Sequence, residues 1–261
     1  MQFKTNIVEN GKAVYFLAWT TTPWTLPSNM CLAVGEKLNY SYVDVGDKIL
    51  VACKNTLDKF KNIFGEKPTI IKECLGSDLV GCEYTPLFNY YADKKKDGAF
   101  RVVTADYVGA DEGVGIVHTA PAFGEDDYWT CKKHNIPMVN PVDNKGRFTS
   151  DIVDFYSEND ERTVIEMNST VIKYLYEKDL AVADGTIEHN YPHCWRCKRP
   201  LIYKAMDAYY FNIDKIKNRL IELNEKINWV PETVKHGRFG KWLENARDWN
   251  ISRNRYWSTP I

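Results

Sequence analysis

Hydroxyl-bearing side chains cluster in the segment WTTTPWTLPSN, which spans residues 19–29. In an extended strand neighbouring side chains point to opposite faces, so Thr20 and Thr22 share one side and Thr21 takes the other. Pro23 keeps Thr22 extended and ends the regular strand pairing. Because a hydroxyl both donates and accepts hydrogen bonds, this cluster could orient a water molecule and hold a ribose. Threonine is also a favoured strand residue, and the segment alone supports both interpretations about equally.

A second constellation, GVGIVHTAPAFGEDDY, occupies residues 113–128. Its glycines lead into a short apolar strand that ends at His118, and a loop with a proline then leads into a helix that begins with three acids. Acids at a helix N-terminus stabilise the helix by about 0.3–1 kcal/mol each, and Glu125 and Asp126 fit that role. Asp127 has a role other than stabilising the helix only if a cation nearby needs a partner. A histidine at a strand end, taken alone, is more often packed than catalytic.

The hydrophobic pattern predicts the elements that must position these two segments. The apolar run at 13–19 predicts a strand covered on both faces. Apolar spacing and charge order predict helices at 125–135, 162–178 and 212–227. Because strands come first and helices later, we expect an α+β fold with a β-barrel-like sheet and surrounding helices. Further strands are predicted at 31–34, 40–45, 48–53, 69–75, 101–104 and 114–118.

The composition is that of an ordinary globular protein, with 44% hydrophobic and 26% charged residues in 261. A net charge of −1 excludes a strongly basic nucleic-acid binder but is compatible with tRNA binding to a local basic strip. Seven scattered cysteines favour a reducing compartment over a disulfide framework. With no leader or long apolar run, we expect a cytoplasmic protein that does not contact a membrane. The stop directly after Thr259-Pro260-Ile261 leads us to expect a piece of a larger enzyme.

One Cys-x-x-Cys pair, Cys194 and Cys197, could supply half of a structural zinc site. Such a site needs four ligands, the chain has no second pair of this kind, and His189 and His193 are the nearby candidates. We therefore expect no metal.

The two constellations resemble the paired signatures of the editing insertion of isoleucyl-tRNA synthetases: a threonine-rich peptide and a Gly-x-Gly, His-x-Ala-Pro and Asp loop. Two later segments, YPHCWRCKRPLIYKA (191–205) and ENARDWNISRNRYW (244–257), are similar to the same family in the same order. The resemblance therefore covers essentially the whole chain. Asp106, Tyr107 and the Cys-Trp-Arg-Cys segment resemble eukaryotic enzymes more than many bacterial ones.

Several departures limit or sharpen the resemblance. Leucyl and valyl relatives carry an Arg-Pro-Glu-Thr or Arg-x-Glu-Thr segment after the first threonines, whereas this chain has Pro23-Trp24-Thr25. Val114 and Ser258 stand where the family commonly has Thr and Gly. The His-x-Gly-His and Lys-Met-Ser-Lys-Ser signatures of the synthetic ATP site are absent from the sequence, so we do not expect amino-acid activation. Some family members complete a zinc site with cysteines that precede the insertion.

The resemblance implies hydrolytic removal of valine wrongly attached to the isoleucine tRNA. One methylene separates the two amino acids and is worth only about 1–3 kcal/mol in a pocket, a limit for which this family is the usual illustration. Catalysis is implied for Thr22, His118 and Asp127: Asp127 binds the α-ammonium, His118 shapes the pocket and contacts the ester, and Thr22 orients water. No cofactor is implied. The implied substrate-binding residues are Thr20, Thr21, Thr25 and Thr119, with Trp24 and Asn29 supporting the terminal adenosine.

The resemblance also divides the chain into an editing core at 1–190 and a stalk at 191–261 that leads back to the synthetase catalytic core. The implied partners are the aminoacylated 3′ end of isoleucine tRNA and the remaining domains of the parent synthetase. We expect weak tRNA binding by the chain alone, with Arg247, Arg253 and Arg255 as the basic candidates. Two alternatives stay open: an editing domain of leucyl or valyl type, and a non-catalytic tRNA-docking or structural module. A deacylation assay separates activity from docking.

Overall fold

The structure is a computed structural model that describes residues 1–111, 113–188 and 190–252. It comprises two compact units, Met1–Ala205 and Met206–Ile261. The expected division into an editing core at 1–190 and a stalk at 191–261 stays a prediction. Within the described ranges, every helix is too short or too polar to cross a bilayer.

A five-stranded sheet forms one part of the first unit, in the order β1-β2-β5-β4-β6. Its neighbouring strands pair antiparallel, except that β2 and β5 are parallel. The threonine-rich segment follows the end of β2, because the chain leaves this sheet through Ala18 and Trp19. The first six strands are β1 (Gln2–Glu9), β2 (Lys12–Leu17), β3 (Cys31–Val34), β4 (Asn39–Asp44), β5 (Ile49–Cys53) and β6 (Thr69–Leu75).

A three-stranded sheet, made of β3 with β7 (Arg101–Thr104) and β8 (Ile116–Thr119), forms the other part. β3 lies at its centre, parallel to β7 and antiparallel to β8. An isolated bridge between Trp19 and Val117 places the end of β2 beside β8. The α+β class is therefore confirmed, and the described strands form two bridged sheets rather than one closed barrel.

Helices of the first unit are short and pack around these sheets. A 3-10 helix at Pro23–Ser28 follows β2, and others lie at Lys54–Phe60 and Ala92–Asp97. On the fourth helix Val171 and Leu175 lie one turn apart and are both buried, which anchors that helix in the main core. The α-helices are α1 (Lys61–Phe64), α2 (Gly76–Leu79), α3 (Glu125–Lys133) and α4 (Asn168–Glu177).

The second unit consists of short elements. A two-stranded antiparallel ribbon joins β9 (Tyr210–Phe211) to β10 (Trp249–Asn250). Between them lie α5 (Lys217–Glu225), α6 (Thr233–His236) and α7 (Arg238–Glu244).

Most predicted strands are confirmed, and those at 31–34, 69–75 and 101–104 have the predicted bounds. β1 was not predicted, because its apolar residues alternate irregularly with polar ones. The helix predicted at 162–178 begins only at Asn168. Glu166 explains the difference, since its carboxylate accepts hydrogen bonds from the amide and hydroxyl of Thr163 and holds a turn there.

Candidate functional site

The threonine turn, residues Thr20–Thr25, is held by its own hydrogen bonds. The hydroxyls of Thr20 and Thr22 lie 3.3 Å apart, although both residues lie outside the described strands. The Thr22 amide donates to the Thr20 hydroxyl at 3.0 Å. The amide and hydroxyl of Thr25 both donate to the Thr22 carbonyl, at 3.0 and 2.8 Å, and so close the first turn of the 3-10 helix. The hydroxyl cluster therefore has a defined shape.

His118 lies at the centre of a buried hydrogen-bond network. Its Nε2 is 2.9 Å from the Thr25 hydroxyl, and its Nδ1 is 2.9 Å from the Asn29 amide nitrogen. Asn29 also donates to the Cys31 carbonyl at 2.9 Å and accepts from the Tyr84 hydroxyl at 2.6 Å. These contacts bring the end of β8 directly against the threonine turn.

The donors in this network fix the tautomer of His118. Asn29 can only donate through its amide nitrogen, so Nδ1 of His118 accepts and Nε2 carries the proton. The Thr25 hydroxyl then accepts from Nε2 and donates to the Thr22 carbonyl, which leaves every partner satisfied. Burial lowers the pKa of His118 to about 3, so the ring is neutral at physiological pH.

Trp24 connects the threonine turn to two other segments. Its backbone amide, at the start of the 3-10 helix, donates to the side-chain carbonyl of Asn168 at 2.9 Å. Its ring packs edge-to-face on Phe123, with ring centroids 4.8 Å apart. The first residue of α4 and the loop after β8 therefore both hold the turn.

Asp127 lies in the first turn of α3 and points back toward the loop that follows β8. Its Oδ2 accepts a hydrogen bond from the Ala120 amide at 2.8 Å. The pKa of Asp127 is raised from 3.8 to about 6, mainly by burial; the Ala120 hydrogen bond acts to lower it and the charge of Asp126 to raise it. A Cβ at Gly124 would lie 3.1 Å from the Asp127 carboxyl carbon, so a larger residue there would require the carboxylate to shift. Among the described residues, no cation forms an ion pair with this carboxylate.

Glu125 and Asp126 are exposed in the same turn, where acids stabilise a helix N-terminus. Their placement fits the electrostatic role expected from the sequence. Of the three adjacent acids, Asp127 alone is largely withdrawn from water. It is therefore the one whose charge most needs a partner.

The implied site residues separate into an accessible and a buried set. Thr21 is exposed, and Thr20, Thr22 and Asp127 are partly exposed. Both ring nitrogens of His118 contact protein groups, and Trp24 and Asn29 are buried. The expected contacts of His118 with the ester, and of Trp24 and Asn29 with the terminal adenosine, stay predictions. The buried set consists of Trp24, Thr25, Asn29, His118 and Thr119.

Three residues that the sequence did not indicate take part in the site. Tyr84 fixes Asn29, Asn168 holds the Trp24 amide, and Phe123 packs on the Trp24 ring. Tyr84 and Asn168 come from distant segments with no local motif, so no signal in the chain pattern could have identified them. Phe123 lies inside the second constellation and could have been suspected from its position.

The Cys-x-x-Cys segment closes a small hairpin. The Cys194 amide donates to the Arg199 carbonyl, and the Lys198 amide donates to the Cys194 carbonyl, each at 2.8 Å. Among the described residues, neither Cys194 nor Cys197 forms a disulfide. In the part of the chain that the structure describes, no group of three or more His, Cys, Asp or Glu residues is placed to hold a metal ion. The candidate ligand His189 lies outside the described residues, and the expected absence of metal stays a prediction. Arg253 and Arg255, two of the basic candidates for tRNA binding, also lie outside the described residues.

Comparison with solved structures identifies the fold first. The chain shares its fold with the crystal structure of GlLeuRS-CP1, at a TM-score of 0.54 and 13% identity, with 72% of this chain and 98% of that chain covered. The P. knowlesi cytosolic leucyl-tRNA synthetase editing domain also matches, with a TM-score of 0.42, 13% identity and coverage of 67% and 82%. The first match defines a fold of the CP1 type.

Comparison of the sequence then gives the family. Residues 11–261 match the model of the tRNA synthetases class I (I, L, M and V), and the chain belongs to this family. The isoleucine–tRNA ligase of Chlamydia muridarum is 46% identical over 248 residues, which are 94% of this chain and 23% of that protein. The Corynebacterium diphtheriae enzyme of the same name is 46% identical over 256 residues, 95% of this chain and 24% of that protein. The chain thus spans about a quarter of the length of these curated relatives, and its resemblance to eukaryotic enzymes stays a prediction.

Proposed function

We propose that the chain hydrolyses the ester that joins wrongly attached valine to isoleucine tRNA, the editing reaction of an isoleucyl-tRNA synthetase. Its family and CP1-type fold support an origin in such an enzyme. The observation that carries the proposal is Asp127, a largely buried carboxylate with no cationic partner among the described residues. It accepts a hydrogen bond from the loop after β8, and Phe123 of that loop packs on Trp24 of the threonine turn.

An aminoacyl ester supplies the cation that Asp127 lacks. Every such substrate has a free α-ammonium, and a charge-assisted hydrogen bond to a carboxylate is among the stronger polar contacts in proteins. Hydrogen bonds to charged groups contribute about 1.5–3 kcal/mol. Binding the ammonium lowers the pKa of Asp127 again, because an opposite charge favours the ionised form. The same pairing makes Asp127 a weak general base, so its proposed role is to anchor the substrate.

The threonine turn provides the proposed contact with water and ribose. Thr20, Thr21 and Thr22 have accessible side chains, and the hydroxyls of Thr20 and Thr22 lie on one side. An aminoacyl ester is already activated, so placing a water molecule beside its carbonyl can account for hydrolysis. We assign that placement to Thr22, with Thr20 and Thr21 at the ribose.

His118 is proposed to act through the protein and not on the ester. As a neutral, buried ring it fixes Thr25 and Asn29, and Thr25 in turn fixes the carbonyl of Thr22. In this role His118 is a positioning residue. Trp24 and Thr119 belong to the same buried support.

The proposed partners follow from the same reasoning. They are the aminoacylated 3′ end of isoleucine tRNA and, because the chain spans about a quarter of its curated relatives, the remaining domains of a longer synthetase. The proposed location is the cytoplasm, and the proposed chemistry requires no metal or cofactor.

Single-turnover hydrolysis tests this function. The chain, in excess, is mixed with isoleucine tRNA charged with valine or, in a parallel reaction, with isoleucine. We expect release of valine well above the uncatalysed rate and slower release of isoleucine, because an editing pocket excludes the larger side chain by its size. Absence of release by a folded chain would indicate a docking module. Faster release of isoleucine would refute the assignment of valine.

A further inference from the structure

Positive charge is concentrated in residues 191–205, although the chain as a whole has a net charge of −1. This segment contains no Asp or Glu, and its four cations are Arg196, Lys198, Arg199 and Lys204. The first three lie in the basic hairpin, which comprises residues 193–200. All three are exposed, so this part of the first compact unit presents a local positive surface to solvent.

The backbone of the basic hairpin is held by its own contacts. His193 and Pro200 form an isolated β-bridge, and the Leu201 amide donates to the Pro192 carbonyl at 2.9 Å. Lys198 has a φ of 59°, in the left-handed region, and the chain turns there. The cations therefore project from a defined turn.

The charges of the basic hairpin are not neutralised within the described part of the chain. There, Arg196, Lys198 and Arg199 take part in no ion pair. Hydrogen bonds from Thr163, and to a smaller extent the charge of Arg199, lower the pKa of Glu166. Because Thr163 already occupies that carboxylate, the three cations can attract a separate anionic partner.

An exposed tryptophan accompanies these cations. Trp195 is 63% exposed, and the guanidinium carbon of Arg196 lies over its ring, 5.0 Å from the ring centroid. Unpaired RNA bases stack on aromatic rings and on guanidinium planes, while Lys and Arg neutralise the neighbouring phosphates. Clustered cations beside an exposed flat ring therefore favour RNA over an acidic protein surface as the partner.

The segment that follows the basic hairpin is hydrogen-bonded to the loop after β8. The Ala205 amide donates to the Ala122 carbonyl at 2.7 Å, and the Asn140 side chain donates to the Ala205 carbonyl at 2.9 Å. Phe123, next to Ala122, packs on Trp24 of the threonine turn. One loop of the first compact unit thus connects the basic hairpin to the candidate site.

We propose that the basic hairpin is an RNA-binding surface that holds the phosphate backbone of the tRNA outside the nucleotide that carries the ester. The identity of the RNA rests on the proposed function. Arg196, Lys198 and Arg199 contact phosphates, and Trp195 stacks on an unpaired base. The surface adds affinity for the tRNA and does not touch the reacting ester.

Fluorescence anisotropy with labelled, uncharged isoleucine tRNA tests this surface directly. One variant removes the three cations of the basic hairpin and is Arg196→Gln/Lys198→Gln/Arg199→Gln. The matched control removes the same charge from three exposed lysines on or beside the five-stranded sheet and is Lys4→Gln/Lys37→Gln/Lys67→Gln. A third protein, Trp195→Ala, removes the exposed ring and leaves the charge unchanged.

We expect the hairpin variant to bind at least about tenfold more weakly than the unmodified chain at about 0.1 M salt, and the control to stay within about threefold. The slope of log K against log salt should decrease in magnitude by about 2–3 for the hairpin variant, because each phosphate contact contributes about 0.7–0.9. Trp195→Ala should bind at least about fivefold more weakly with the same slope. No binding by the unmodified chain, or equal affinities of the hairpin variant and the control, would overturn the inference. An unchanged affinity of Trp195→Ala would overturn the stacking contact.

Deacylation separates this inference from the function on which it rests. With valine-charged isoleucine tRNA, the hairpin variant should raise KM at least about tenfold and leave kcat unchanged, because its cations contact only the tRNA backbone. If the unmodified chain hydrolyses the ester and the hairpin variant has the same KM, the surface assignment fails and the proposed function stands. If the hairpin variant alone loses RNA binding but the unmodified chain does not hydrolyse the ester, the function fails and the RNA-binding surface stands. Thermal melting confirms that each variant is folded.

Discussion

Replacing Asp127 by asparagine is expected to stabilise the chain while removing its ammonium anchor. Burial raises the pKa of Asp127 from 3.8 to about 6, so the folded state disfavours the charged carboxylate relative to the unfolded state. Asparagine retains an oxygen that can accept the Ala120 hydrogen bond but carries no charge. The variant therefore removes an unfavourable charge without losing that contact.

The magnitude follows from linkage between protonation and folding. One pKa unit corresponds to about 1.4 kcal/mol, so the shift represents at most about 3 kcal/mol. Because the side chain is partly exposed, water screens part of this cost, and about 1–3 kcal/mol is expected for Asp127→Asn. The penalty is fully present above pH 6 and is relieved as the pH falls through about 6 toward 3.8, where the folded state gains its proton first.

Thermal unfolding of Asp127→Asn at several pH values provides the assay. For a chain of this size each kcal/mol shifts Tm by about 2–4 °C, so the variant should melt at a clearly higher temperature at pH 7.5. The difference should disappear near pH 4. Asp126→Asn is the control, because Asp126 is exposed and should change Tm little. A lower Tm for Asp127→Asn at pH 7.5, or a gain that persists at pH 4, would refute the reasoning.

Three further outcomes are expected. The kcat/KM for valine-charged tRNA should rise with pH through about 6 and then level off, because only ionised Asp127 pairs with the ammonium. A pH-independent kcat/KM between pH 5 and 7 would argue against the role of Asp127. His118→Ala should lower the free energy of unfolding by about 2–4 kcal/mol, since it leaves two buried partners unsatisfied; denaturant titration measures this, and a loss below about 1 kcal/mol would contradict the network. Asn168→Ala should lower kcat with little change in KM, because the Trp24 amide loses its hydrogen-bond acceptor. The control Ser169→Ala, at the next and exposed position, should match the unmodified chain, and Asn168→Asp should restore the rate. Equal rates for all of these proteins would rule out the positioning role of Asn168.

Local pattern predicted the parts of the site that depend on neighbouring residues. The sequence predicted that Thr20 and Thr22 share one side, and their hydroxyls lie 3.3 Å apart. The cause is a local hydrogen bond from the Thr22 amide to the Thr20 hydroxyl, since β2 ends at Leu17. The charge order of residues 125–135 predicted α3 and its acidic first turn, although the helix ends at Lys133. The α+β class followed from the order of strands and helices.

Contacts between distant segments could not be predicted from local pattern. The hydrogen bond from Tyr84 to Asn29 spans 55 residues, and that from Trp24 to Asn168 spans 144. These contacts decide which side chains are buried, and burial separates the accessible threonines from Trp24 and Asn29. For the same reason the sequence could not show that His118 uses both ring nitrogens within the protein.

The ammonium anchor at Asp127 is tested most directly by comparing two adjacent acids in one assay. Hydrolysis of valine-charged isoleucine tRNA is measured under single-turnover conditions for the unmodified chain, Asp127→Ala and Asp126→Ala, with folding checked by thermal melting. We expect Asp127→Ala to lose at least about tenfold in rate, since a hydrogen bond to a charged group is worth about 1.5–3 kcal/mol, and Asp126→Ala to stay within about twofold. Normal hydrolysis by Asp127→Ala, or loss of activity in Asp126→Ala instead, would contradict the assignment of Asp127 as the anchor.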